Sequence, residues 1–398
     1  MSNCIIAQSG GPTSVINSSV VGLFDANLEL KVFENVFAGL NGIEGILNGD
    51  IINLSKEDYN DILAFKNTPS SGLGSCRYKM KKLEESTEEY EKLLDILESN
   101  DIRAFFYVGG NDSMDTTAKL SKFAKEKNLD IKFIGIPKTI DNDLKFTDHT
   151  QVFGSAAKFI CTSILETYLD ASVYINNGIF IVEAMGRDTG WLAASACLAR
   201  IDEKQVADFI YLPEVAFDLE QFLIDVKEKF RENNKVYIVA SEGLRDASGK
   251  FITEADAMGD QDTFGHAPLG GVGEYLKNKI IAAGITNRVK ALELGVLQRC
   301  AMHCASEVDL KEAYDAGYKA LECARDGLSG YMVATKRDET STYSTSHFLV
   351  EADKIANNVK YFNSEWINSS GNNISEEAIA YFAPLVGSLP KYKVFHKR

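Results

Sequence analysis

The chain lacks a basic excess. Against 57 Asp and Glu stand 42 Lys and Arg, a formal net charge of −15 over 398 residues. That balance excludes a nucleic-acid binder that works through a whole-surface basic field. No apolar run approaches the roughly 18 residues of a membrane span. The opening Met-Ser-Asn-Cys-Ile-Ile-Ala-Gln has neither the basic region nor the apolar length of a signal peptide. The seven cysteines are odd in number and mostly scattered, so reduced thiols are expected rather than a disulfide framework. Cys300, His303 and Cys304 offer three soft ligands, but no second CxxC or HxxxH completes a zinc shell, and plain buried thiols are expected there. Low-complexity linkers and tandem repeats are also missing. A cytoplasmic enzyme is expected.

What is present reads as an ordinary globular protein, 45% hydrophobic and 25% charged, with length for roughly two to three domains. A short strand over 4–8 runs into Ser9-Gly10-Gly11-Pro12-Thr13-Ser14, and Val15, Ile16, Val20, Leu23 and Phe24 then recur at helical spacing. A strand over 31–35, a glycine-punctuated stretch and a charged helix over 79–98 follow. The pattern of strand, Gly-Gly and helix returns at 104–108, Gly109-Gly110 and 113–127. A third strand over 132–135 leads into Ile136-Pro137-Lys138-Thr139-Ile140-Asp141-Asn142-Asp143. The second half repeats the style, with helices over 151–171, 219–233, 272–283 and 298–324 and strands over 179–182 and 236–240. Strands alternating with helices predict a parallel sheet covered on both faces.

Ligands of such sheets bind beyond the carboxyl ends of the strands, and three loops carry candidate groups there. Gly10-Gly11 before a helix reads either as a tight turn or as backbone shaped for an anion. It is neither a Walker A pattern nor the GxGxxG of a dinucleotide enzyme. Gly109-Gly110-Asn111-Asp112-Ser113 reads either as an N-cap or as a magnesium or phosphate site. In the third loop, Lys138 suits a phosphate as a point charge and Asp141 suits proton acceptance. Arg77, Arg187 and Arg299 stand at element junctions and suggest a concentrated anion pocket in an acidic protein.

Over roughly residues 3–305 these segments, with Gly74-Ser75-Cys76-Arg77, Met185-Gly186-Arg187, Ser241-Glu242-Gly243 and Gln298-Arg299, resemble the phosphofructokinase family. The Pro-Lys-Thr-Ile-Asp-Asn-Asp block and Met-Gly-Arg carry the resemblance most specifically. It implies an α/β fold of two similar, Rossmann-like parallel-sheet lobes facing across an active cleft. The phosphoryl-donor lobe would be 1–150 and the sugar-phosphate lobe 151–290, with 291–398 crossing between them. It further implies phosphoryl transfer to the 1-hydroxyl of fructose 6-phosphate, with Asp141 as base and Lys138, Asp112 and Arg187 as the other catalytic residues. Gly11, Arg77 and Lys138 would hold the donor. Thr139, Ile140, Asp141, Met185, Gly186, Arg187, Glu242, Lys290 and Arg299 would hold the sugar phosphate, Arg299 at its 6-phosphate. Asn111 and Asp112 would face Mg2+, and a homodimer or higher homo-oligomer is implied.

ATP-dependent members typically carry glycine where this chain has Asp112 and Lys138, so pyrophosphate is the expected donor. A carboxylate at Asp112 would meet the α-phosphate of ATP. Two like charges about 4 Å apart repel by roughly 4 kcal/mol at an effective dielectric near 20, or about three decades of affinity. The chain departs from the family pattern at Asn111, often Asp, and at Val296, usually His or Tyr. It departs also at Gly178 and Lys290, where arginines are usual. The rebuilt phosphate site makes sedoheptulose 7-phosphate a second acceptor to test. The competing readings are the same reaction with ATP and a non-catalytic regulatory subunit. The second would be free to lose Asp141, Lys138 and Arg187, yet all three are present.

Overall fold

A computed structural model describes residues 2–174, 178–254, 271–340 and 342–395. The chain divides into two compact units, Met1–Phe153 with Arg299–Lys360, and Gly154–Gln298 with Tyr361–Arg398. The fold is α/β with parallel sheets. No described helix is long and apolar enough to cross a membrane.

The first unit is built on a seven-stranded sheet in the order Thr345–Glu351, Tyr331–Arg337, Lys132–Pro137, Ile102–Gly109, Asn3–Gln8, Val36–Gly39, Ile51–Asn53. Its inner strands are parallel, and an antiparallel strand closes each edge. Alternate residues of one strand serve opposite faces. Cys4 and Ile6 join a core with Ile16, Val20 and Leu23 of the helix Ile16–Leu30 and with Ala316 and Ala320 of the helix Glu307–Arg325. Ile5 and Ala7 join another core, with Tyr90 and Leu93 of the helix Glu88–Ser99 and Leu120 and Phe123 of the helix Asn111–Glu126. These apolar runs read as strands because both faces of the sheet are covered.

The second unit holds a four-stranded parallel sheet, in the order Val289–Glu293, Ile179–Ala184, Val236–Ser241, Phe209–Tyr211. Ile181 and Ile238 pack with Phe222 and Val226 of the helix Leu219–Asn233 and with Leu276 and Ile280 of the helix Val272–Ala282. Asp218 starts the first of these by accepting from the Glu220 and Gln221 amides, and left-handed Asn234 ends it.

Several elements differ from the sequence expectation. Residues 31–35 form no strand, because Lys31 takes a left-handed conformation that closes the preceding helix. The strand follows at Val36–Gly39. The charged helix begins only at Glu88. The single helix expected over 298–324 is a short turn, Leu297–Cys300, then a 3-10 turn, then Glu307–Arg325. The two sheets are alike in style but not in size, and the C-terminal strands Tyr331–Arg337 and Thr345–Glu351 account for part of the difference.

Candidate active site

In the first unit three neighbouring parallel strands end at the same level, since Gln8 pairs with Val108 and Val108 with Ile136. The loops that leave them are therefore side by side, and they are the three glycine- or charge-bearing loops of the sequence. Backbone hydrogen bonds lock them together. The Lys138 amide donates to Gly109 O at 3.0 Å, and the Gly10 amide donates to Cys76 O at 2.9 Å. Ser75 Oγ donates to Gly10 O at 2.6 Å, which brings the Arg77 segment alongside.

Lys138 is buried, and its ammonium donates to Gly11 O at 2.9 Å. Gly10 sits at φ +76°, and a Cβ there would stand 3.0 Å from Lys138 Nζ. One at Gly11 would stand 3.3 Å from Arg299 Nη1. The two glycines thus let backbone approach a cluster of cations. Burial pushes Lys138 down to about 7, and the Arg299 and Arg77 guanidiniums push the same way against Asp141 and Asp143. Burial and Arg77 likewise lower Arg299. Three mutually repelling cations around accessible backbone form a site that a multiply charged anion would relieve.

Asp141 follows three residues after Lys138, and its amide donates to the Thr139 hydroxyl oxygen at 3.2 Å. The Thr139 carbonyl in turn accepts from Thr150 Oγ1 at 2.8 Å. Asn142 is fully buried at φ +54°, and its side-chain oxygen accepts from the Thr150 amide at 3.0 Å. Ile140 is buried, so its side chain offers the loop packing rather than a polar contact. Asp112 lies in the first turn of its helix, half-exposed, 3.6 Å from Lys79. Lys79 escaped the sequence reading, although its place two residues after Arg77 was a signal.

Two of the expected site residues have further partners in this unit. Asn111 has both ends of its amide engaged elsewhere. Its nitrogen donates to Ile355 O and Asn358 O at 3.2 and 2.8 Å, and its oxygen accepts from the Asn357 amide at 2.5 Å. It ties down the 355–358 turn. Arg299, expected at the sugar's 6-phosphate, stands with Gly11, Arg77 and Lys138. Its own carbonyl accepts from the Ser14 amide at 2.8 Å, which fixes it to the first loop.

In the second unit the loops after Ala184 and Ser241 leave adjacent parallel strands. Glu242 Oε1 accepts from the Gly186 amide at 3.2 Å, and Gln298 Oε1 accepts from the Met185 amide at 3.1 Å. Ser241 Oγ donates to Gly186 O at 2.6 Å. Gly186 has φ +131°, and a Cβ at Gly243 would meet Arg187 O at 2.0 Å, so both glycines are required for the turns to nest. Burial raises Glu242, while the Gly186 amide and Arg187 draw it back down. Met185, Gly186, Arg187 and Glu242 are thus brought together, with Gln298 as a positioning group.

Lys290 is not brought to that loop within its unit. It pairs with Phe180, four residues before the strand ends at Ala184, or about 13 Å along the strand. Its side chain is 71% exposed and 3.8 Å from Asp170. All seven cysteines are free thiols; Cys300 and Cys304, expected to be buried, are only partly so.

A family model described as phosphofructokinase matches residues 3–324. A pyrophosphate–fructose 6-phosphate 1-phosphotransferase of Xanthomonas campestris is 40% identical, across 98% of this chain and 95% of that protein. One from Methylococcus capsulatus is 38% identical at the same coverage. The crystal structure of the pyrophosphate-dependent phosphofructokinase of Nitrosospira multiformis superposes with a TM-score of 0.87 at 34% identity, covering 98% of this chain and 94% of that one. On the loops, their order and these matches, the chain belongs to the phosphofructokinase family.

Proposed function

We propose that the protein transfers a phosphoryl group from pyrophosphate to the 1-hydroxyl of fructose 6-phosphate, giving fructose 1,6-bisphosphate and phosphate. The observation that carries this reading is the meeting of Arg77, Lys138 and Arg299 at Gly10 and Gly11, with Asp141 on the same loop as Lys138. The names of the curated relatives point to the same donor and acceptor.

The sugar hydroxyl attacks one phosphorus in line while the bond to the leaving phosphate breaks. Asp141 takes the hydroxyl proton. Lys138, Arg77 and Arg299 hold charge on the donor and on the departing phosphate, so positioning and electrostatics supply most of the acceleration. Met185, Gly186, Arg187 and Glu242 hold the sugar. Asp112 disfavours a nucleotide donor by like-charge repulsion.

The donor set fits magnesium in the manner usual for that ion, one carboxylate together with substrate oxygens and water. Asp112, half-exposed at a helix start, would hold it, preceded by Asn111, whose amide also ties down the 355–358 turn. When bound, magnesium would neutralise charge on the phosphoryl oxygens. Lys290 lies at the far end of its strand, beside a cavity of about 320 Å³ lined also by Tyr168, Asp170 and Arg288. A homo-oligomer in which Lys290 serves a neighbouring copy accounts for that placement.

Phosphorus NMR of the protein with pyrophosphate, fructose 6-phosphate and magnesium tests the reading. One phosphate and one fructose 1,6-bisphosphate should appear for each pyrophosphate consumed. Unchanged pyrophosphate would overturn it.

A further inference from the structure

The loop that carries Lys138 and Asp141 is held from behind by a residue far outside the matched family segment. Lys360 follows the short helix Ala352–Ile355. Its ammonium donates to Asp148 O at 2.8 Å, to Thr147 O at 3.2 Å and to Asn142 Oδ1 at 3.2 Å. An ammonium has three donors, and here each meets an oxygen of the 142–148 stretch. The Lys360 amide adds a fourth bond, to Asp143 O at 2.7 Å. Asn142 and Asp143 directly follow Asp141, and Asn142 is the residue in the left-handed conformation on which the turn depends.

The groups that hold Lys360 are themselves anchored. Asn142 Oδ1 also takes the Thr150 amide. Thr147 Oγ1 donates to His149 O and accepts from the Thr335 amide. Asp148 pairs with His149 and Arg337, and the other nitrogen of His149 meets Glu312. Burial pushes Lys360 down to about 7, while Asp148 and Asp143 act against that loss of charge. Burying an ammonium is costly unless it is paired, so a lysine kept here must be held by its acceptors.

We propose that Lys360 is a positioning residue for the reaction: it fixes the Asn142–Asp148 backbone so that the Asp141 carboxylate is aimed at the sugar hydroxyl. The inference rests on the reading of Asp141 as the base. A displacement of about 1 Å at a reacting group can cost on the order of 10² in rate, whereas substrate binding depends on other side chains.

A double-mutant cycle with Asp141→Asn tests it. Lys360→Met should lower kcat about tenfold or more with KM for both substrates changed less than about threefold. In the Asp141→Asn background the same substitution should change kcat less than about twofold, because no aimed carboxylate remains to be lost. Lys354→Met is the control on the same segment; its ammonium pairs with exposed Glu351 and its loss should leave kcat unaltered. A full multiplicative loss in both backgrounds, as expected of a purely structural residue, overturns the proposal, and so does an unchanged kcat. If Lys360→Met does not fold, Lys360→Gln, which keeps a donor, carries the same cycle. Normal turnover by Asp141→Asn alone would overturn the function reading and this proposal with it, whereas multiplicative losses overturn this proposal alone.

Discussion

The loops of the first unit and those of the second are built by different physical means. Around Gly10 and Gly11 the first unit gathers Lys138, Arg77 and Arg299, close enough that their repulsion adds to burial in lowering Lys138 to about 7. Around Gly186 the second unit gathers mostly backbone and neutral or acidic side chains, with Glu242 and Gln298 accepting from the turn amides. The first arrangement stores unfavourable electrostatics that a bound anion releases. The second is satisfied already and offers a shaped polar surface with Arg187. A small, densely charged donor suits the one, and a polyhydroxylated sugar suits the other. The net charge of −15 is a property of the whole chain and is no obstacle to either.

The largest expected break is Asp141→Asn, which should lower turnover by about 10²–10⁴ while leaving binding of both substrates near normal. Steady-state kinetics with both substrates varied reads it. Next, Lys138→Met should cost about 10²–10³ in kcat/KM for pyrophosphate, with the KM for fructose 6-phosphate little altered. The contrast sharpens in the second unit, where Glu242→Gln should raise the KM for fructose 6-phosphate about tenfold and leave that for pyrophosphate unchanged. Equal effects of both substitutions on both substrates would dissolve the comparison.

A smaller effect concerns protons. A bound anion favours the charged form of Lys138 and raises its pKa. Pyrophosphate binding at pH 8 should therefore take up part of a proton, seen as a buffer-dependent heat in calorimetry and missing in Lys138→Met. Without ligand the sign for stability is opposite to that of a paired lysine. Between about 7 and the ordinary lysine value of 10.5 the unfolded chain holds a proton that the folded one lacks, so stability rises with pH across that window. Lys138→Met should therefore raise the melting temperature by a few degrees, most clearly below pH 7.

The parallel core of the first unit was legible because strand, Gly-Gly and helix recur, and a change of hydrophobic period marks each boundary. The loops that carry Asp141, Lys138 and Glu242 were legible through their motifs. The strands Tyr331–Arg337 and Thr345–Glu351 were not, because the second lies at a sheet edge, half-exposed, with Thr, Ser and His ahead of its short apolar run. The break near residue 301 contains neither Gly nor Pro, and only Ser306, the N-cap of the helix that follows, marks a new start there. The partners of Asn111 and Lys360 were illegible for one reason: they lie more than 200 residues away in the chain, and only the fold brings them together.

The central claim is that charge at Asp112 and Lys138 selects a small donor over a nucleotide. The most direct measurement is kcat/KM for pyrophosphate against ATP on one preparation, with fructose 6-phosphate and magnesium saturating. The account predicts a preference for pyrophosphate of about three decades, the size of a like charge placed near 4 Å. Equal turnover with ATP would contradict it.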